Sequence, residues 1–513
     1  MLITNAISHK VYLQGGTRML DATAFAIASL SCLSLGIVVL FALFTYPLQY
    51  DLAYSQIEIN RIIIAQTLGA NGFSPVMGLL ADTHGPHVLG LVSLCSYVVG
   101  FLTIIHSYAA HSTYLTMVMG FFFVGIANGC LLCCCTVTCA KSFAKYSTTF
   151  ALSVPNVMVG LSAVLEVHIV KNVILKTSND FAPVFKFFLA VMCGASVLAF
   201  IGASVANDAD RIDEDGYNLG DDELSPLMSS PFMTPSHSVV MSSPLLAAGA
   251  AAVVSPDIFR HIDDGLLASP SLDALTLSGF EPRSYAQKAR QFFTDPLLYP
   301  LIAFFLASVG SSELFLSNMA SITASLGEPV EEFDRLLSIH SMASTAARII
   351  IMLTTDYISA SPASETSLVR PISRVTIISA LTLVAACGHL FLSSSEHAAQ
   401  HALSIVVSNG ILNGVVFTLY PALVVYIWGV EMLGLTWGVF STMPVLGSLF
   451  YNTIYGYDFE AQCVAKDSFG FGNDGMVICS TLTFFVTGVT LLVAGTGLSV
   501  LKNKYLAKSI EFF

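Results

Sequence analysis

Charge is scarce in this chain. Of 513 residues, 11% are Asp, Glu, Lys or Arg, 55% are apolar and the mean hydropathy is +0.74. Soluble domains carry about a quarter charged residues, so a globular protein in water is excluded and a polytopic membrane protein is indicated. The signatures of catalysis are missing as well. There is no His-Glu-x-x-His, no Walker loop, and no nucleophile with a base at recognisable spacing. An enzyme is therefore not expected, nor a cofactor or a nucleic-acid partner. The eleven cysteines do not form a disulfide framework, because most sit inside apolar runs, where Cys behaves as a small hydrophobe. Five crowd together (Cys130, Cys133, Cys134, Cys135, Cys139) with no His or carboxylate beside them, so close helix packing is expected there and a metal is not. Palmitoylation beside Lys141 and Lys145 is a further reading of that cluster. A cleavable signal peptide is not expected either, since about twenty residues of mixed polarity precede the first long apolar run.

Long apolar runs are what the chain has in abundance. About 20 residues cross the hydrocarbon as a helix. Twelve such spans are predicted, at 22–46, 57–80, 88–108, 113–138, 148–171, 182–205, 297–320, 335–355, 372–393, 401–428, 432–455 and 476–500. The expected fold is an all-α membrane protein whose main partner is the bilayer. It divides into an N-terminal six-helix bundle (1–205), an acidic Ser/Pro-rich loop (206–294) and a C-terminal six-helix bundle (295–513). Between Asp208 and Asp295 fourteen acids face five bases, so this stretch supplies −9 of the net −13. Its composition favours disorder. With both termini in the cytoplasm, fourteen Lys/Arg fall inside and five outside, and nine against five when the long loop is left out. That bias supports an N-in, C-in topology.

Between the second and third spans lies Gly78-Leu79-Leu80-Ala81-Asp82-Thr83-His84-Gly85-Pro86-His87, read as a tight polar hairpin at the membrane surface. It resembles the Gly-x-Leu-Ala-Asp-Arg-x-Gly-Arg-Lys loop of the major facilitator superfamily. Gly78, Leu80/Ala81, Asp82 and Gly85 fit, while Thr83, Pro86 and His87 stand where that family has cations. The end of the second span, Val76 to Asp82, is matched by Ile350 to Asp356 in the other half, the parallel repeat expected of two bundles with a substrate site between them. Within the superfamily the chain resembles the fungal monocarboxylate-porter-homologue (Mch-type, nodulin-like related) transporters. The resemblance rests on Asn71-Gly72-Phe73 with 76–82, on Ala347-Arg348 with Asp356, and on Phe292-Phe293-x-Asp295-Pro296. It implies alternating access, a small-molecule substrate, possible coupling to protons, and a vacuolar membrane. It also implies a cytoplasmic gate in which Asp82 pairs with a cation at the end of the fourth helix, Lys141 or Lys145, and with a helix N-terminus of the opposite bundle.

Ionisable residues at bilayer depth cost several kcal/mol unless paired or wetted, so each is a functional candidate. Arg348 lies about 12 Å from the cytoplasmic end of its helix at 1.5 Å per residue. Two readings stand: a cavity cation that takes a carboxylate or phosphate, or a gate element paired with Asp356. The porters have an Asp four residues before this Arg, and this chain has Ser344. Glu313, among Ser311, Ser312, Ser317 and Asn318, reads either as a proton-coupling group or as the structural partner of Arg61. Glu166 and His168 are expected to snorkel. His340 reads as a satisfied helix histidine, and Asn128, Asn156, Asn409, Asn413 and Tyr420 as cavity lining or interhelical glue. Gly125 and Gly129 form a small-xxx-small pair for close packing. In the loop, Glu223-Leu224-Ser225-Pro226-Leu227-Met228 resembles an acidic dileucine signal for a sorting adaptor, with a second copy at Ser243-Pro244-Leu245-Leu246. The expected function is secondary transport of a small anionic organic solute. The competing class is a transporter-shaped sensor without net flux.

Overall fold

A computed structural model describes residues 2–38, 48, 51–54, 56–111, 113–145, 147–174, 181–218, 284–319, 322, 330–359, 373–394, 401–459, 461 and 481–503. No strand occurs among them. Twelve long helices follow one another: α1 (Leu2–Ser31), α2 (Arg61–His84), α3 (His87–Ala109), α4 (Tyr114–Phe143), α5 (Thr148–Ile169), α6 (Ala182–Asn218), α7 (Leu298–Ser317), α8 (Val330–Ser359), α9 (Arg374–Ser394), α10 (Ala402–Trp428), α11 (Val430–Phe459) and α12 (Thr481–Leu501). The reason is that of any chain in hydrocarbon, where backbone groups must be satisfied within the segment. Among the described residues eleven helices are long and apolar enough to cross a membrane, and in α5 the apolar stretch Thr148–Ser162 is shorter. α1 begins inside the segment read as a polar lead, and α6 runs past its apolar stretch to Asn218. Hydrocarbon thickness limits a span, not the helix that carries it.

The polar hairpin is the main correction to the sequence reading. Gly78 to His84 are helical, and the turn is confined to Gly85 and Pro86. Gly85 sits at φ +89°, a region that side chains with a Cβ avoid. Thr83 does not cap anything new, since its hydroxyl donates to the Leu79 carbonyl 2.7 Å away, within the same helix.

Small residues let α2 and α4 touch backbone to backbone. A Cβ on Gly125 would run into the Gln66 carbonyl, and one on Gly129 into that of Ala70. Replacing Gly125 by Leu is expected to destabilise the first half by about 1–3 kcal/mol, the usual cost of overpacking, read as a lower melting temperature of the purified protein. Cys130, Cys134, Cys135 and Cys139 are buried in the same core beside Tyr97, Phe101 and Phe121. Cys139 Sγ lies 3.7 Å from Ser29 Oγ of α1. The chain has two tryptophans, and both meet Phe440 in α11, at 6.2 Å for Trp428 and 6.4 Å for Trp437 between ring centroids.

The helices of both halves form one compact unit, 1–209 with 299–513, and residues 210–298 form a second. In the second unit a short helix, Tyr285–Thr294, opens with a reciprocal capping box between Ser284 and Gln287. It stops where Pro296 forces Asp295 out of helical geometry, and Asp295 Oδ1 then accepts the Leu297 N–H at 2.9 Å. The sorting-like residues Glu223, Leu227 and Met228 lie outside the described residues.

Candidate functional site at the junction of the two halves

Asp82 closes one end of this junction. Its Oδ1 accepts the N–H of Gly434 at 2.9 Å and its Oδ2 that of Leu435 at 2.8 Å. These amides belong to the first turn of the helical stretch Leu433–Ser441 of α11, where no carbonyl of the same helix can take them. A carboxylate from the first half therefore satisfies two orphan donors of the second and meets the positive end of its dipole. The approach is possible because Gly78 and Gly434 face each other, and a Cβ on either would overlap the other's carbonyl. Lys145 Nζ lies 2.5 Å from Asp21 Oδ2 in α1, and Lys141 makes no ion pair among the described residues. The side chain of Asp356 lies outside the described residues.

Nearby, Arg374 opens α9 as a buried residue. Its Nε donates to Thr149 Oγ1 of α5 at 3.2 Å, and its guanidinium stacks over Tyr426 at 4.5 Å from the ring centroid. Arg374 is one of the fourteen Lys/Arg that an N-in, C-in topology places inside. Its place at the first residue of a span, where a long side chain can fold back against the neighbouring helix, is the signal it offered.

Deeper in, Arg348 bridges the halves. Its Nη1 donates to the Asn156 carbonyl of α5 at 2.9 Å and its Nη2 to Asn413 Oδ1 of α10 at 3.1 Å, while the guanidinium stands 6.0 Å from the Phe417 ring centroid. Nε is buried with no hydrogen-bond partner among the described residues. Asn156 is placed by proline chemistry. Pro421 has no N–H, so the Phe417 carbonyl four residues earlier loses its helical donor. Asn156 Nδ2 supplies one from across the junction at 3.3 Å.

Other sequence assignments are redistributed. The expected Arg61–Glu313 pair is not made, since Arg61 donates to Tyr114 Oη at 3.1 Å within its own half. The cation whose field reaches Glu313 is Arg348. Glu313 is half-buried and makes no direct side-chain hydrogen bond or close ion pair among the described residues. Tyr420 is buried against Phe305, with ring centroids 4.7 Å apart, and its hydroxyl has no hydrogen-bond partner among the described residues. Phe440 of α11 packs against the same ring at 6.4 Å between centroids. Glu166 does not snorkel; it is buried at 3% exposure, whereas His168 two residues on is exposed. Tyr97 donates to Asn128 Oδ1 within the first half. His389 was missed, a lone helix histidine with no sequence signal to lift it above its neighbours.

Comparison with known proteins fits this architecture. The Major Facilitator Superfamily matches residues 24–451. Similar curated proteins include the "Probable transporter MCH1" of Debaryomyces hansenii, 28% identical over 477 residues that cover 90% of this chain and 89% of that one. The protein of the same name from Candida albicans is 26% identical, covering 90% and 91%, and that from Saccharomyces cerevisiae is 25% identical, covering 90% and 88%. Among solved structures, the proton:xylose symporter XylE bound to 6-bromo-6-deoxy-D-glucose superposes with a TM-score of 0.60 at 11% identity, over 95% of this chain and 96% of that one. The transporter FucP in the outward conformation gives 0.55 at 12%, over 92% and 98%. With twelve long helices among its described residues and a family match along most of its length, this chain belongs to the Major Facilitator Superfamily.

Proposed function

We propose that this protein is a secondary transporter that carries a small anionic organic solute across a fungal vacuolar membrane by alternating access between its two halves. The observation that carries the anion is Arg348. A fixed cation held at bilayer depth by uncharged partners, with a carboxylate near but not paired to it, is an arrangement that a substrate carboxylate or phosphate completes. Asp82 and Gly78, with Gly85 turning the chain behind them, act as the gate at the cytoplasmic end, and Arg374 latches the same end. Glu313 supplies the carboxylate whose field reaches this cation.

The name of the relatives supports transport, and the acidic 223–228 motif supports a vacuolar address read by a sorting adaptor. Uptake of carboxylates, amino acids and inorganic phosphate into proteoliposomes, with and without an acid gradient, tests the first claim. Saturable uptake of an anion is expected. Binding without uptake of any solute would make the protein a sensor. The address is tested separately: Leu227→Ala with Met228→Ala is expected to move a fluorescent fusion away from the vacuole, and unchanged labelling counts against it.

A further inference from the structure

Arg348 is the near end of a hydrogen-bonded chain that crosses the second half. Its Nη2 donates to Asn413 Oδ1, Asn413 Nδ2 donates to Ser312 Oγ at 3.2 Å, and Ser312 Oγ donates to Asn409 Oδ1 at 3.0 Å. Asn409 Nδ2 lies 3.0 Å from His389 Nε2, and His389 Nδ1 lies 2.8 Å from Thr487 Oγ1. Thr487 in turn donates to the Thr483 carbonyl at 3.0 Å. The two ends set the sense of every link, because a guanidinium only donates and a carbonyl only accepts. Since Thr487 spends its proton on a carbonyl, His389 Nδ1 carries the hydrogen and Nε2 the lone pair that faces Asn409. The tautomer and the amide orientations thus follow from the network. With Arg348 the six side chains of this chain sit on five different helices, and Asn413, Ser312, Asn409, His389 and Thr487 are buried.

We infer that His389 is the proton site of this transporter, wired to Arg348 through Asn409, Ser312 and Asn413, so that its protonation releases one edge of the guanidinium to an anion. The inference rests on the anion reading given above. A solvent proton adds to the Nε2 lone pair, and no other covalent bond changes. Nε2–H then points at Asn409, whose amide turns its oxygen to meet it and presents Nδ2 to Ser312. Ser312 accepts that bond and donates onward, so Asn413 turns its oxygen to Ser312. Asn413 Nδ2 now faces Arg348 Nη2, donor against donor. Arg348 keeps the Asn156 carbonyl and the Phe417 ring, while Nη2 becomes available to a carboxylate or phosphate oxygen. Proton and anion therefore bind together.

The charged and titratable groups around His389 are consistent with this. From α8 come His340, whose Nε2 is 3.4 Å from Asn409 Oδ1 and which changes tautomer when the amide turns, and Arg348 itself. α7 brings Glu313. α11 brings Asp458, whose Oδ2 accepts the N–H and the hydroxyl of Thr483 at 2.7 and 2.8 Å in the turn that anchors Thr487. α12 carries no ionisable residue, and the rings of Phe315 and Phe484 flank the imidazole at 5.9 and 5.7 Å.

The test uses the full-length protein in liposomes. Phenylglyoxal modification of Arg348 is followed by peptide mass spectrometry, relative to Arg61, from neutral to acid. In the wild type the relative rate at Arg348 is expected to rise several-fold on acidification. It should stay flat in His389→Gln, and also in Ser312→Ala, which keeps the histidine and cuts the chain. An acid response retained in either folded variant overturns the proton site. Succinate uptake separates the two claims. A labelling response without uptake of any anion keeps the link between His389 and Arg348 and removes the transport reading. Uptake that is lost in Arg348→Ala, with a pH profile unchanged in His389→Gln, keeps the transport reading and overturns the proton site.

Discussion

Gly78→Val is expected to stop transport while leaving both halves folded. At this position α2 and α11 meet through their backbones, and a Cβ on Gly78 would occupy the space of the Gly434 carbonyl. Valine adds two methyl groups to that conflict. Neither glycine is needed inside its own half, so the penalty falls on the state in which the halves touch. Overpacking costs about 1–3 kcal/mol, and every 1.4 kcal/mol is about tenfold in an equilibrium. A fall in turnover of about ten- to a hundredfold should follow, with a melting temperature close to that of the wild type. Asp82→Asn should act in the same direction but less strongly. One amide oxygen still accepts an N–H, while the amino group opposes the other. Initial uptake rates and thermal melts of the two variants check the pair. Full activity in Gly78→Val would mean that the halves need not meet there.

Arg348→Ala carries the second large effect. The substitution removes donors from the Asn156 carbonyl and from Asn413, and it deprives Glu313 of its nearby cation. Truncating one partner of a buried charge interaction costs about 2–5 kcal/mol, so kcat/KM for an anion should fall about a hundredfold or more. Arg348→Lys keeps the charge and loses the planar fork that holds two oxygens at once. It should recover part of the loss, mainly in KM, because the charge still attracts the anion, while kcat stays low because the geometry is no longer fixed. Asn413→Ala, which frees Nη2 of its acceptor, should remove the pH dependence of anion uptake while leaving the uptake itself in place.

The helices were legible because hydrocarbon leaves the chain no other choice, and a span about 20 residues long is visible in composition alone. The Asp82 segment was legible as a landmark and misread as a loop. Its glycine and aspartate look like a turn in sequence, yet only Gly85 takes a conformation that needs glycine. The pairings were the part that sequence could not hold. Arg61 and Glu313 are both charged and both near the same end of their helices, but the rotation of α2 turns Arg61 to Tyr114 instead. Tyr420 has the composition of a cavity residue and the packing of a core residue, a difference set by Phe305 and Phe440 on other helices. His389 gave no warning, because a network becomes visible only when five helices are in register. Pro421, by contrast, was a signal within reach: a helix proline frees a carbonyl, and the asparagine that satisfies it marks the facing helix.

The most direct measurement is counterflow of labelled succinate and related carboxylates in liposomes that contain wild-type or Arg348→Ala protein, each shown to be folded by its melting curve. The account predicts saturable counterflow in the wild type and its loss in the variant. Undiminished counterflow through a folded Arg348→Ala protein would contradict it and leave this arginine a tie between the two halves.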